Sequence, residues 1–273
     1  MKTFTLDGHA SSEWNIGLSG SGTYGAPARK GESISVPGRN GALWVDDGSF
    51  ENTIVTYPCW LCEDFDEEFD DFRAFLAAHG DKYYRLTDGY HTDEYRMARW
   101  LGPLDPDVST QNKSGRFDVQ FDCQPQRFLT SGETYITINP SGTAITNPTP
   151  FFCFPKIKTS NGGGNAWISF SRSQEFADGN TYTSTVKIRV PVSNRDIWID
   201  TQTLVSMYTE DLTNLTPSYS SYAGFEIQVD LTDDSFKHGE MSLYPGLNTV
   251  TYEYEPYSAD TCTIELAPRW WTI

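Results

Sequence analysis

Basic residues are in short supply in this chain. Lys and Arg number 20 against 37 Asp and Glu in 273 residues, a formal net charge of -17. Neutralising nucleic-acid phosphates or an anionic membrane surface takes clustered cations, so the composition argues against both roles and predicts a chain that repels DNA. The deficit is evenly spread, with 12 basic against 22 acidic residues up to Glu133 and 8 against 15 after it, so neither half hides a basic module. Histidine is also scarce: His9, His79, His91 and His238 have no His or Glu partner at metal-ligand spacing. Five cysteines make an odd set in which only Cys59 and Cys62 are spaced C-x-x-C. Without a second pair, or a βαβ context for a redox motif, they read as free, mostly buried thiols of a reducing compartment.

Long apolar runs are missing too. Met1-Lys2-Thr3-Phe4 leads into polar sequence without the apolar core of a signal peptide, and nothing approaches a membrane span. The expectation is a soluble protein made in a cytoplasm, with no membrane insertion. No G-x-S-x-G elbow, Walker loop or dinucleotide fingerprint occurs, and Gly162 to Gly164 reads as a hairpin loop, not a phosphate cradle. Neither a cofactor nor a catalytic constellation is expected.

Helical periodicity is present in one stretch. Phe65, Phe69, Phe72 and Leu76 fall on one helical face with Phe75 beside it, Asp64 is placed to N-cap with Glu67 three residues on, and His79-Gly80 stands where a C-cap belongs. The acidic run from Glu63 to Asp71 lacks the oxygen spacing and the glycine of an EF-hand loop, because Phe65 and Phe69 interrupt it. It suits a solvated face near the positive end of the helix dipole.

Everything else alternates as strands do. Ser33 to Val36, Ala42 to Val45 and Asn52 to Tyr57 are separated by Pro37-Gly38-Arg39-Asn40-Gly41 and Asp46-Asp47-Gly48, which predicts a three-stranded antiparallel unit with two tight reversals. Phe117, Val119, Phe121 and Cys123 share one face of a later strand. Between Gly102 and Gly115 lies a polar, Pro-containing excursion, read as a hairpin tip or an arm toward a neighbour. From Thr134 the texture changes to short strands at regular intervals, from Cys153 to Leu266, with Asn161-Gly162, Asp178-Gly179 and Pro245-Gly246 among the turns. The fold class is mainly β in two domains. Residues 1–133 form an antiparallel β-sandwich with one helix and a protruding hairpin or arm; residues 134–273 form a second sandwich of jelly-roll type whose last strand returns toward the first domain.

Aromatics make up 14% of the chain, and Trp167, Trp198, Tyr219 and Tyr222 are candidates for stacking on sugar rings. A carbohydrate-binding sandwich, or a glycoside hydrolase with two carboxylates, is therefore one functional reading. At the C-terminus, Pro268-Arg269-Trp270-Trp271 places adjacent indoles on opposite sides of an extended strand. At least one needs a covering surface, from the other domain or another subunit.

The other reading comes from a resemblance. Pro37-Gly38-Arg39-Asn40-Gly41 with Asp46-Asp47-Gly48, then Tyr84 to Asp88, Tyr95 to Ala98, Gly115 to Val119, Phe121 to Phe128, Asn147-Pro148-Thr149 and the terminal Pro268 to Trp271, resembles in order and spacing the distal tail proteins (Dit) of long, non-contractile phage tails. The likeness covers residues 1 to about 155 and the C-terminus; residues 161–244 carry no family motif. It implies a non-enzymatic homohexameric ring at the virion tail tip, assembled in the host cytoplasm. N-terminal domains would build the ring between the tail tube protein and a tail-associated hub, fibre or receptor-binding protein. Galectin-like C-terminal sandwiches would project outward, and DNA would pass through the lumen without specific binding. Pro37, Gly38, Arg39, Asn40, Gly41, Asp46, Asp47, Arg269, Trp270 and Trp271 are the residues this reading assigns to ring formation or docking.

Overall fold

The structure is a computed structural model that describes residues 1–273 except 21, 63–64, 110–112, 161–163, 176–180, 193–194, 204, 208–227, 232–241 and 255–261. The chain divides into two units, Met1–Phe128 with Ile273, and Leu129–Thr272. The division falls at Leu129 where the change in sequence texture placed it after Glu133. The intervening residues are tied into the second unit: the Leu129 amide donates to the Trp270 carbonyl at 2.8 Å, and the Arg269 amide to the Gly132 carbonyl at 2.7 Å.

The first unit contains β1 (Phe4–Leu6), β2 (His9–Ala10), β3 (Ile16–Leu18), β4 (Arg29–Ser35), β5 (Ala42–Phe50), β6 (Thr53–Cys62), α1 (Phe65–Ala78), β7 (Tyr84–Asp88), β8 (His91–Trp100), β9 (Asp107–Ser109) and β10 (Ser114–Leu129). Its main sheet runs β2-β1-β7-β8-β10-β6-β3, with β9 also on β10. Alternation decides which face is dry. Val55, Tyr57, Cys59 and Leu61 of β6 stand beside Phe121, Val119, Phe117 and Gly115 of β10 in antiparallel register, and all eight of these residues are buried. The same parity explains the C-x-x-C pair. Three residues along a strand reverse the face, so Cys59 is buried while Cys62 is exposed, and both are free thiols.

Helix α1 closes this core with Phe65, Phe69, Phe72 and Leu76, its four buried residues. Phe69 meets Phe117 edge-on at 5.1 Å, Phe72 lies 6.3 Å from Phe4, and Phe65 stacks on Phe69 at 4.7 Å. The expected cap, Asp64, lies outside the described residues. The excursion from Gly102 to Gly115 turns back as a short hairpin on the same sheet, with Ser109, Val108 and Asp107 opposite Ser114, Gly115 and Arg116.

The stretch expected to form a three-stranded unit does not. β4 and β5 pair only with each other, as a separate two-stranded sheet, while β6 joins the main sheet between β10 and β3. The Asp46-Asp47-Gly48 segment is not a reversal either. It lies inside β5 as an irregularity, where Arg29 faces Phe50 but Gly31 already faces Asp46. The Asp46 carboxylate accepts from the Gly48 amide at 3.1 Å and that of Asp47 from the Ser49 amide at 2.9 Å, so the turn chemistry is spent on a bulge.

The second unit contains β11 (Ile136–Thr137), β12 (Thr143–Asn147), β13 (Lys156–Ser160), β14 (Gly164–Glu175), β15 (Thr181–Val192), β16 (Ile197–Asp200), β17 (Val205–Met207), β18 (Gln228–Leu231), β19 (Gly246–Tyr254) and β20 (Thr263–Ala267). They form two five-stranded antiparallel sheets, β11-β20-β13-β16-β17 and β12-β19-β14-β15-β18. Ile157, Ile197, Ile199, Ile264 and Leu266 of the first share one dry core with Ile145, Ile168, Phe170, Val190 and Val250 of the second, which makes the unit a β-sandwich. Asn147 is buried at its rim, its amide nitrogen donating to the Phe151 and Leu243 carbonyls at 2.7 and 3.2 Å while its oxygen receives the Thr149 amide at 2.9 Å. That pairing is what the Asn-Pro-Thr turn supplies.

Gly115 sits under the helix, where an added Cβ would lie 2.1 Å from the Phe65 ring. Gly115→Ala is therefore expected to lower stability by about 1–3 kcal/mol through overpacking. Gly25→Ala, with nothing within 4 Å of the new methyl, should change stability by less than about 0.5 kcal/mol. Urea unfolding of the two variants followed by tryptophan fluorescence checks the contrast; equal effects would show that Phe65 gives way freely.

Candidate functional site

The β4–β5 hairpin departs from the rule that strands bury one face. Every residue of both strands is exposed except Phe50, which is half-buried. Register puts Ile34 opposite Leu43 and Glu32 opposite Val45, so these four share a face, and alternation adds Val36 to it. Ile34, Val36, Leu43 and Val45 are 38–47% exposed, and Trp44 on the other face is 52% exposed. A lone two-stranded hairpin is marginally stable in water, and contiguous exposed apolar side chains mark contact surfaces more often than accidents. The outer edges of both strands also lack a sheet partner among the described residues.

The hairpin is shaped at both ends. At the tip, Pro37 sets φ and Gly38 and Gly41 both adopt φ +80, the left-handed conformation that the turn demands, while the Arg39 amide donates to the Val36 carbonyl at 3.2 Å. Arg39 and Asn40 are exposed there. At the base, the Arg29 guanidinium pairs with Asp46 and lies 4.8 Å over the Phe50 ring, and the Glu51 amide donates to the Ala28 carbonyl at 2.8 Å. The Trp44 indole covers Gly31 so closely that a Cβ there would lie 2.5 Å from it, which keeps this face of the hairpin flat. Asp47 accepts from the Ser49 amide and hydroxyl, which lowers its carboxyl pKa. Of the residues assigned to assembly, Pro37, Gly38, Arg39, Asn40, Gly41, Asp46 and Asp47 thus fall on one protruding element.

A polar network follows immediately where the chain re-enters the main sheet. Asp122 accepts from the Arg99 Nε at 2.9 Å, the Tyr83 hydroxyl at 3.0 Å and the Asn52 amide at 3.0 Å. Burial alone would raise its pKa, but these bonds outweigh burial and hold the carboxyl below the ordinary range.

The C-terminal candidates lie elsewhere, in the second unit. Trp270 is 6% exposed and belongs to the sandwich core, so the covering surface that sequence demanded for one indole is supplied by its own unit. Arg269, at φ +57, donates to Asp200 at 3.2 Å. Trp271 stacks on Phe151 at 4.3 Å and donates from Nε1 to the Phe152 carbonyl. Trp167 and Trp198 are half-buried, with the Lys158 ammonium 5.6 Å over the Trp198 ring. Tyr219 and Tyr222 lie outside the described residues. Nothing brings the four aromatics proposed for sugar stacking to one described surface. Among the described residues no three His, Cys, Asp or Glu are placed to hold a metal ion, and no helix is long and apolar enough to cross a membrane.

The class that this geometry defines is a two-unit β protein whose first unit extends an unpartnered hairpin. No family model matches the chain, and no curated protein matches it. Among solved structures, the fold is similar over 100% of both chains to the crystal structure of the Dit protein of phage SPP1, described as a paradigm of the hub adsorption apparatus in phages infecting Gram-positive hosts, with a TM-score of 0.63 at 12% identity. A chain of the phage p2 baseplate in its activated conformation aligns over 97% of both chains at 10% identity and a TM-score of 0.44. The likeness to the SPP1 protein shows the fold of this chain to be the Dit fold.

The Asp122 network carries a prediction with a defined sign. A carboxyl whose pKa is lower in the folded state stabilises fully above its unfolded value, near 3.9, and that contribution is lost as pH falls through the folded pKa. Asp122→Asn should cost about 1.5–3 kcal/mol at pH 7 and flatten the decline of stability below pH 4. Denaturant midpoints between pH 2.5 and 7 test this; parallel curves for the two proteins would show that Asp122 is not linked to folding.

Proposed function

We propose that this protein is a structural hub component of a long, non-contractile phage tail, forming a closed ring of six copies at the virion tail tip and performing no catalysis. The observation that carries the reading is the β4–β5 hairpin. Its apolar face is uncovered within the described chain, and it extends from a unit whose fold is that of the SPP1 hub protein. A hairpin of one copy laid on the next gives a heterologous contact, and repetition of such a contact closes into a ring when the rotation permits. Burying Ile34, Val36, Leu43 and Val45 would supply on the order of 25 cal/mol for each Å2 of apolar surface removed from water. Glu32, Arg39 and the Asp46–Arg29 pair would remain at the rim, where polar groups favour register over affinity.

In this reading the ring stands between the tail tube protein and a tail-associated hub, fibre or receptor-binding protein, and the second-unit sandwiches are the surface for the latter. The ring is assembled in the host cytoplasm and carried into the virion. A net charge of -17 per chain suits a passage through which duplex DNA slides without sticking. The chain therefore has no need of a cofactor or of specific nucleic-acid recognition.

Light scattering on the full chain should give a native mass near six copies at micromolar concentration. Replacing residues 32–45 by a short Gly-Ser linker should yield monomers with the unfolding midpoint of the main core retained. Arg39→Ala should weaken assembly while leaving the midpoint within about 1 °C, because turn tips are exposed and strands carry the core. A monomeric full chain at high concentration would contradict the ring, as would a linker variant that still assembles.

A further inference from the structure

The chain enters the β4–β5 hairpin through residues 22–28, a run in neither helix nor strand, and leaves it at Glu51 and Asn52. The two legs meet where the Glu51 amide donates to the Ala28 carbonyl. Behind that point Asn52 is fastened to Tyr83 and Asp122. A body held at one place can still turn about it, so the direction in which the hairpin projects depends on what holds the leading leg.

That leg is held at Thr23. Most of it lies in water, with Tyr24, Gly25, Ala26 and Ala28 exposed. Thr23 is half-buried and gripped on two sides: its hydroxyl donates to Asp88 at 3.3 Å, and its carbonyl accepts from the Nη2 of Arg127, 104 residues further along the chain. The next ring, Tyr24, meets His91 edge-on at 5.3 Å. Among the described residues no other hydrogen bond ties residues 22–27 to the main sheet.

Both grips are set from within the sheet. The Asp88 oxygen that faces Thr23 also accepts from the Tyr57 hydroxyl at 2.6 Å, and its other oxygen accepts from the Tyr90 and His91 amides at 2.8 and 2.9 Å. Asp88 is thus oriented by the turn that ends β7, whatever the leg does. Arg127, near the end of β10, is 8% exposed and has Glu94 3.5 Å from its Nη1. Arg96 beside it is buried as well, and burial, followed by the Arg127 charge, lowers the Arg96 pKa. Buried cations seldom add net stability, and their best-attested use is to fix one arrangement among several. An apolar side chain at position 127 would fill the space without repelling Arg96. What the guanidinium adds is a hold on a carbonyl of the surface leg.

We propose that Arg127 and Asp88 are positioning residues for assembly, which latch Thr23 and thereby set the direction in which the β4–β5 hairpin leaves the first unit. The role in assembly rests on the ring reading above: an arm that must meet its neighbour at one angle binds better when that angle is fixed before contact.

The test reads single copies of the full chain at high dilution. Chymotrypsin cuts after the exposed Tyr24 only when the leg comes away from the sheet, so the rate reports the open population. Arg127→Met should raise that rate by at least about tenfold, Arg127→Lys should restore part of the protection, and Thr23→Val, which removes only the hydroxyl bond, should raise it by about threefold or more. Cleavage after Tyr57 and Phe121, both buried in the core, should not change, whereas general loosening would raise it too. Because Arg127→Met could fail to fold, Thr23→Val at its half-buried position supplies a second reading. Energy transfer between dyes on the exposed Cys62 and on Asn40→Cys at the tip, in a Cys262→Ser background, should give one narrow distance, and a broader one when Thr23→Val is added. Equal cleavage after Tyr24 in every folded variant, or a distance distribution that Thr23→Val leaves unchanged, would overturn the latch. Neither readout needs a second copy, so the latch is decided whether or not the chain forms a ring.

Discussion

Ile34, Val36, Leu43 and Val45 stand on a hairpin that the rest of the described chain leaves in water, and much else in the molecule can be understood as the means of holding them there. An apolar face on a two-stranded sheet is unstable as an isolated object. Here it is fastened at its base by the Arg29–Asp46 pair and the Glu51–Ala28 hydrogen bond, and its turn is fixed by the left-handed glycines. The strand that follows, β6, is by contrast one of the most deeply committed elements of the core, with Val55, Tyr57, Cys59 and Leu61 all buried. A rigid sheet thus continues into an extended arm within one stretch of chain.

Rigidity of the first unit comes from aromatic packing between α1 and the β6–β10 pair. Phe65, Phe69 and Phe72 present a broad surface to Phe4 and Phe117, and Gly115 makes room for the first ring. The Asp122 network ties Asn52, at the foot of the hairpin, to Tyr83 and Arg99. These bonds fasten the residue at which the chain rejoins the sheet after the hairpin.

Much of this was legible in the sequence, and the failures are instructive. The helix was readable because four aromatic or aliphatic residues at helical spacing have one physical interpretation, and the second-unit strands because alternation and turn residues recur. Partner choice was not readable. Ser33 to Val36, Ala42 to Val45 and Asn52 to Tyr57 alternate alike, yet only the last has a buried face, because alternation states that a strand has two faces and not what covers either one. Asp46-Asp47-Gly48 offered a reversal and became a bulge, since the same Asx bonding serves both. Of the assembly residues, the turn from Pro37 to Gly41 is an exposed tip, whereas Trp270 is core, a distinction that adjacent indoles in a sequence do not encode.

The central claim is that a neighbouring copy covers the hairpin's apolar face. A photo-reactive phenylalanine analogue placed at Leu43 addresses it directly, using a mixture of isotopically light and heavy chains and mass spectrometry of the cross-linked peptides. Mixed light–heavy cross-links from position 43 to the first unit of another copy are the result this account predicts. Cross-links confined to single chains, or none beyond reaction with water, would contradict it.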